Sequence, residues 1–328
     1  MAAVAPEEAG EAFAPSLTDR IESVLYRLGD AALQRLPLGL VQRVVAFWAR
    51  RYFDLRIGNA RWVAINLRIV YPEKSEAERR EIGRESYVSF GLNVLDYVRS
   101  QHWSDEELLD HCPVEGVEHA ERAIARGRGL LLLTLHMGCF EVGVQSIALA
   151  LAHHDPAVLG RPLRNRLLYQ HIQRSRTRAR AELIDQNPAR TMLRALQQKR
   201  PVGILLDRYT RHGRSVLVPL FGVRTHTPAS LGMLAVRTGA PIVPCYVLRS
   251  GPDRHRAIFH PELEIERSGD RARDVELVTA ACNAEIERIV RANPEEWMWG
   301  HRRFKQSPDF ASDPYGRRPH RSSGSTHE

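Results

Sequence analysis

The stretch LLLLTLHMGCFEVG, residues 130–143, constrains this chain more than any other. Its first half is apolar almost without interruption and is preceded by Gly127 and Gly129. Such a run has neither the two-residue alternation of a half-exposed strand nor the 3.6-residue stripe of a surface helix. It suits a strand covered on both faces, and strands of that kind belong to largely parallel sheets with helices above and below. Further strand candidates follow at residues 157–159, 202–206, 216–220, 242–248 and 257–265, with helical stretches between them. Asn187 and Pro188 start one helix. Thr227 and Pro228 start another that Gly239 closes, and Val275, Val278, Cys282, Ile286 and Ile289 stripe a late one. The alternation predicts an α/β fold with a mixed, largely parallel sheet flanked by helices.

Upstream the pattern is helical. Ile21, Leu25 and Leu28 form one stripe, and Val41, Val44, Val45 and Trp48 form another beyond Pro37. The pairs Ser75/Glu78 and Ser104/Glu107 have the spacing of capping boxes. The expected organisation is a disordered segment over 1–15, a helical region over 16–112, an α/β core over 113–305 and a disordered tail over 306–328. No internal repeat is evident.

Charge and cysteine usage narrow the function. A formal charge of +8 favours anionic partners such as nucleic acid, an anionic membrane or an acidic protein. The four cysteines are far apart, which argues against a zinc ribbon or disulfide framework and fits a reducing compartment. The acidic start lacks the pattern of a signal peptide, and no apolar run is long enough to span a bilayer. Residues 41–53 interleave apolar side chains with Arg43, Arg50 and Arg51, which suits either an interfacial helix or a helix packed on the domain.

Four features could carry chemistry. His136 stands at the carboxyl end of the apolar strand, where open α/β sheets bind ligands. Glu141 lies five residues on, about 140° around a continuous helix, so the two meet only across a turn, for which Gly138 supplies the freedom. A carboxylate on one imidazole nitrogen would fix the tautomer and make the other a general base. On this spacing alone a surface histidine beside an ordinary helix start is the favoured reading, and no set of metal ligands stands out near it. Asp207 also follows a strand, as a site residue or a turn cap. The segment RPLRNRLLYQHIQRSRTRARA carries Arg161 and Arg176 among many arginines, as a solvated helix face or an anion site. The segment WMWGHRRFK mixes aromatics with His301, Arg302, Arg303 and Lys305, a mixture suited to RNA stacking or a membrane interface.

Taken in order, the blocks INLRIVYPEKSEAERR, LLLLTLHMGCFEVG, GRPLRN, GILLDRYTRHGRSVLVPLFG, THTPASLGMLAVRTGAPIVP and PEEWMWGHRRFK resemble the late acyltransferases of lipid A biosynthesis. The likeness runs from about residue 60 to 305. It implies an acyltransferase with His136 as base and Glu141 as its partner, moving a fatty acyl group from acyl carrier protein or acyl-CoA to a hydroxyl of an anionic glycolipid. No covalent acyl-enzyme and no other cofactor are implied, and neither is nucleic acid. Arg161, Arg176, Asp207 and Arg302 match family positions and are expected at the substrate. The implied place is the cytoplasmic face of a bacterial inner membrane, held peripherally. Three departures stand out: no apolar anchor at the N-terminus, Arg208 after the aspartate, and Cys139 in the His-x4-Glu block. The competing readings are an acyltransferase acting on another glycolipid or a lysophospholipid and, behind it, a thioester hydrolase or a basic lipid- or RNA-binding module.

Overall fold

The computed structural model describes residues 16–158, 165, 182–183, 188–210 and 215–316. Five helices form the N-terminal region: α1 (Leu17–Arg35), α2 (Leu38–Asp54), α3 (Ala60–Val70), α4 (Glu76–Ser100) and α5 (Asp105–His111). The capping boxes of Ser75 with Glu78 and of Ser104 with Glu107 are formed, each satisfying backbone donors that the first turn leaves open. Helix α4 packs against α2. Gly83 makes room for the Phe53 ring there, since a Cβ at that position would sit 2.3 Å from it.

The α/β core follows with β1 (Val114–Glu115), α6 (Val117–Ile124), β2 (Leu130–Thr134), α7 (Phe140–Ala150), β3 (Ala157–Val158), β4 (Glu182–Leu183), α8 (Pro188–Gln197), β5 (Pro201–Leu205), β6 (Ser215–Leu220), β7 (Val223–Pro228), α9 (Ser230–Thr238), β8 (Ile242–Arg249), β9 (His255–Phe259) and α10 (Arg271–Ala292). Among the described residues seven strands make one sheet in the order β1-β9-β8-β2-β5-β3-β4, parallel except between β8 and β9. Strand β2 is central. Leu131, Leu133 and Leu135 enter one apolar cluster, while Leu130 and Leu132 enter the cluster on the other face. That division explains the unbroken run of leucines: both faces of the strand are interior, and each side chain contributes about 2 kcal/mol by leaving water.

Some boundaries differ from expectation. The second sheet is an antiparallel hairpin of β6 and β7. Strand β7 carries Arg224, Thr225, His226 and Thr227, a polar sequence that gives no apolar strand signal, and the helix expected at Thr227 begins at Ser230 instead. Strand β9 stops at Phe259 instead of running to residue 265. The packed chain also continues past residue 305. Tyr315 is buried and accepts the Phe304 N–H at 3.0 Å, so an aromatic anchor holds part of the expected tail. Helix α2 buries Val41 and Phe53, as the packed reading of that segment expects, and leaves Val44, Phe47, Trp48 and Tyr52 exposed. No helix among the described residues is long and apolar enough to cross a membrane.

Candidate active site

Strand register builds the centre of the site. Parallel neighbours β2 and β5 pair Thr134 with Leu205, and Leu206 donates its N–H to the Thr134 carbonyl. Two residues beyond each paired end therefore stand side by side, and these are His136 and Asp207. The His136 Nδ1 lies 2.7 Å from Asp207 Oδ1, and the His136 backbone N–H donates to Oδ2 at 2.9 Å. Trp297 Nε1–H donates to the same Oδ2 at 2.8 Å. Asp207 is fully buried. Burial alone would raise its pKa, but the charge and hydrogen bond of His136, with His301 and Trp297, outweigh it and hold the carboxyl well below the usual range. An ionised carboxylate can only accept, so Nδ1 carries a proton, and Nε2 is the nitrogen left to give up or take the other.

The carboxylate at Nδ1 is thus that of Asp207, where the sequence reading had put Glu141. Parallel register delivers Asp207 to the ring, and Glu141 opens α7 as its second residue. Glu141 lines a cavity of about 130 Å³ together with His136, Phe140, Asn93, Glu296 and Met298. The turn between them works as expected at Gly138. Its φ is +54°, and a Cβ there would stand 2.3 Å from the Val247 carbonyl oxygen.

A strap from the C-terminal end of the fold closes over this turn. Gly138 N–H donates to the Glu296 carbonyl, Met298 N–H donates to the His136 carbonyl, and Met137 forms a bridge with Trp297. Trp297, Trp299, Arg303 and Phe304 are fully buried, so the tryptophans and phenylalanine of WMWGHRRFK are core instead of a stacking surface. Arg303 donates to Thr225 Oγ1, the His226 carbonyl and Thr227 Oγ1, which ties the strap to the β6–β7 hairpin. Burial pulls its guanidinium down to about 10, still charged at neutral pH. His301 Nε2 sits 3.2 Å from the Asp207 carbonyl oxygen. Burial lowers its pKa to about 4 despite the nearby Asp207 charge, which leaves the ring neutral. Nε2–H is then the donor to that carbonyl. Burial likewise raises the Glu296 carboxyl, opposed by a hydrogen bond from Ser89 Oγ at 2.8 Å.

One of the remaining expected site residues, Arg302, lies among the described residues. Arg302 stacks its guanidinium 4.9 Å from the centre of the Trp62 ring. Arg161 and Arg176 lie outside the described residues. Cys139 is buried and directs its thiol to the Asn93 carbonyl at 3.2 Å, and burial drives its pKa far up, so it is a packing group and no nucleophile. Arg208 lines a second, larger cavity of about 690 Å³ with Val44, Val45, Trp48, Tyr87 and Phe90. Ser86, Phe90 and Met298 line both cavities, so His136 adjoins an apolar chamber bounded by α2 and α4. Sequence reading missed Trp297 as a partner of Asp207, and the contact has no local signal because 90 residues separate the two.

A base held by a buried carboxylate, beside a chamber fit for an alkyl chain, has the parts needed for acyl transfer. Across residues 15–306 the chain matches the family model described as bacterial lipid A biosynthesis acyltransferase. The chain belongs to that family. It is an acyltransferase. Among its relatives are the lipid A biosynthesis lauroyltransferase of Escherichia coli (strain K12), 29% identical over 89% of this chain and 91% of the relative. The lipid A biosynthesis palmitoleoyltransferase of the same organism is 27% identical over 76% and 80% of the two chains. A phosphatidylinositol mannoside acyltransferase of Mycobacterium tuberculosis (strain CDC 1551 / Oshkosh) is 26% identical over 65% of this chain and 66% of its own length. Membership in the acyltransferase family weighs against a binding module without catalysis.

Proposed function

We propose that this acyltransferase moves a fatty acyl group from a thioester of acyl carrier protein or coenzyme A to a hydroxyl of a lipid A precursor or related glycolipid. The observation that carries the reading is the His136–Asp207 pair at the wall of a cavity that adjoins an apolar chamber. His136 Nε2 takes the proton of the acceptor hydroxyl as its oxygen attacks the thioester carbonyl. The tetrahedral adduct then collapses, the C–S bond breaks, and the departing thiolate recovers the proton from the imidazolium. Asp207 steadies the positive charge that the ring carries between those steps. The ester forms in one displacement on the substrate, with no acyl group on the protein.

The chamber of about 690 Å³ falls inside the range of roughly 300–1,000 Å³ typical of small-molecule sites, and its lining suits the acyl chain. Glu141, on the wall of the smaller cavity, is assigned to the acceptor side of the reaction, where a carboxylate can accept from the incoming hydroxyl. Arg161, Arg176 and Arg302 are assigned to anionic groups of the two substrates, in keeping with the +8 charge. The protein is placed peripherally on the cytoplasmic face of the inner membrane. Exposed Leu40, Phe47, Trp48 and Leu55 next to Arg43, Arg50 and Arg51 support that placement.

The test is transfer from acyl-carrier-protein thioester to lipid acceptor by the wild type and by His136→Ala. The variant is expected to lose turnover while still sedimenting with anionic vesicles. Retained turnover would remove His136 from the role of base. Acceptor-independent release of free fatty acid at the full rate would instead make the protein a hydrolase.

A further inference from the structure

A second group of ionisable side chains lies at the far end of α7 from the reaction. Glu121 projects from α6, and His153 and His154 sit on the 3₁₀ turn Ala152–His154 that follows α7. His154 Nε2 is 2.8 Å from Glu121 Oε2, and His153 Nε2 is 3.2 Å from Oε1. The two imidazoles lie with centroids 4.0 Å apart and planes inclined at 44°. One atom from each of the three side chains can be chosen so that all lie within 4.8 Å of one another.

We propose that Glu121, His153 and His154 form a binding site for a borderline divalent cation, with zinc as the fitting ion. Two imidazole nitrogens and one carboxylate oxygen are a donor set that zinc, nickel and copper favour, whereas magnesium and calcium prefer oxygen alone. Both Nε2 atoms already converge on one carboxylate. A cation would take the position that the two N–H groups now share, after the rings move their protons to Nδ1. Tetrahedral zinc with bonds of about 2.1 Å needs donors roughly 3.4 Å apart, so the 2.8 Å contact has to open slightly and any separation nearer the 4.8 Å limit has to close, by small side-chain rotations.

The backbone under the cluster is fixed. Leu151 is fully buried and its carbonyl accepts the His154 N–H at 2.9 Å. Asp155 ends the turn in the left-handed region at φ +51°, and Arg200 Nε holds its carbonyl at 2.7 Å. Ligands on two separate elements would make the ion a clip between α6 and the end of α7. His153 is 62% exposed, which leaves room for water on the ion. The eleven residues of α7 put about 16 Å between this site and Glu141, so the ion would act on stability and take no part in acyl transfer.

The experiment is equilibrium dialysis of the full-length, tag-free chain against zinc chloride, compared with a variant carrying Glu121→Gln, His153→Ala and His154→Ala. One zinc ion per chain is expected to be lost in the variant, with affinity at least roughly 100-fold weaker, since even outer-shell changes cost 10- to 100-fold. Cobalt(II) on the wild type is expected to give the visible bands of a four-coordinate nitrogen and oxygen site. Zinc at about 100 times its dissociation constant is expected to raise the wild-type melting temperature by about 5 °C and leave the variant's unchanged. Acyl transfer by the variant is expected at the wild-type rate. Equal zinc uptake by both proteins, or no saturable uptake by the wild type, would overturn the assignment.

Discussion

Asp207→Asn probes the catalytic centre most sharply, because the structure dictates what the amide must do. Two donors point at Oδ2, the His136 backbone N–H and Trp297 Nε1–H, while His136 Nδ1 alone points at Oδ1. The asparagine oxygen will therefore settle on the Oδ2 side, where it satisfies both donors. Its NH₂ group then faces Nδ1 and can only donate, which forces the ring proton onto Nε2. The variant folds but presents a protonated nitrogen where the base should be. It also loses the negative charge that balances the imidazolium. Charges about 4 Å apart at an effective dielectric near 20 interact by about 4 kcal/mol, which corresponds to a rate loss of roughly 10³-fold. The assay is steady-state transfer from a radiolabelled acyl thioester, with kcat and KM measured separately and folding checked by near-UV circular dichroism. The loss is expected in kcat, with KM nearly unchanged. If Asp207→Asn stayed within tenfold of wild type while Glu141→Gln lost 10³-fold, the reasoning would fail and Glu141 would be the orienting carboxylate.

Gly138→Ala is expected to destabilise the fold by about 2–4 kcal/mol, because it adds a positive-φ penalty to a Cβ 2.3 Å from the Val247 carbonyl oxygen. Urea midpoints measure it, and a change under 1 kcal/mol would show that the turn can relax. His301 supplies a pH test. Its folded pKa of about 4 lies below the roughly 6.5 of an unfolded imidazole, so its contribution is complete above pH 6.5 and drains away as pH falls toward 4. His301→Gln is expected to flatten the decline in urea midpoint between pH 6.5 and 4.5, and an unchanged slope would assign that decline to other groups.

The leucine run, His136 at its end and the turn at Gly138 were legible from sequence because each is a local signal. Asp207 was legible as a residue beyond a strand, but its meeting with His136 depends on β2 and β5 being neighbours in register, and sequence order does not state strand order. Glu141 looked like the partner because it is near in sequence, whereas a parallel sheet brings together positions 71 residues apart. Strand β7 escaped because its inward side chains, Thr225 and Thr227, are polar and buried only through their bonds to Arg303, Asn283 and backbone. The same cause disguised Arg303 as a surface charge. A buried guanidinium and an exposed one read alike until the acceptors around it are known.

The strap that crosses the His136 turn also sets an order of events in the life of the molecule. Helices α1–α5 and strands β2 and β5 are all synthesised before residues 296–304, yet the backbone of His136 and Gly138 is held by Met298 and Glu296. A chain still emerging from the ribosome therefore has His136 and Asp207 but no Trp297 to donate to that carboxylate. A chain cut before residue 296 is therefore expected to keep most of the sheet while losing the hydrogen bonds that hold the His136 turn and the Asp207 carboxylate.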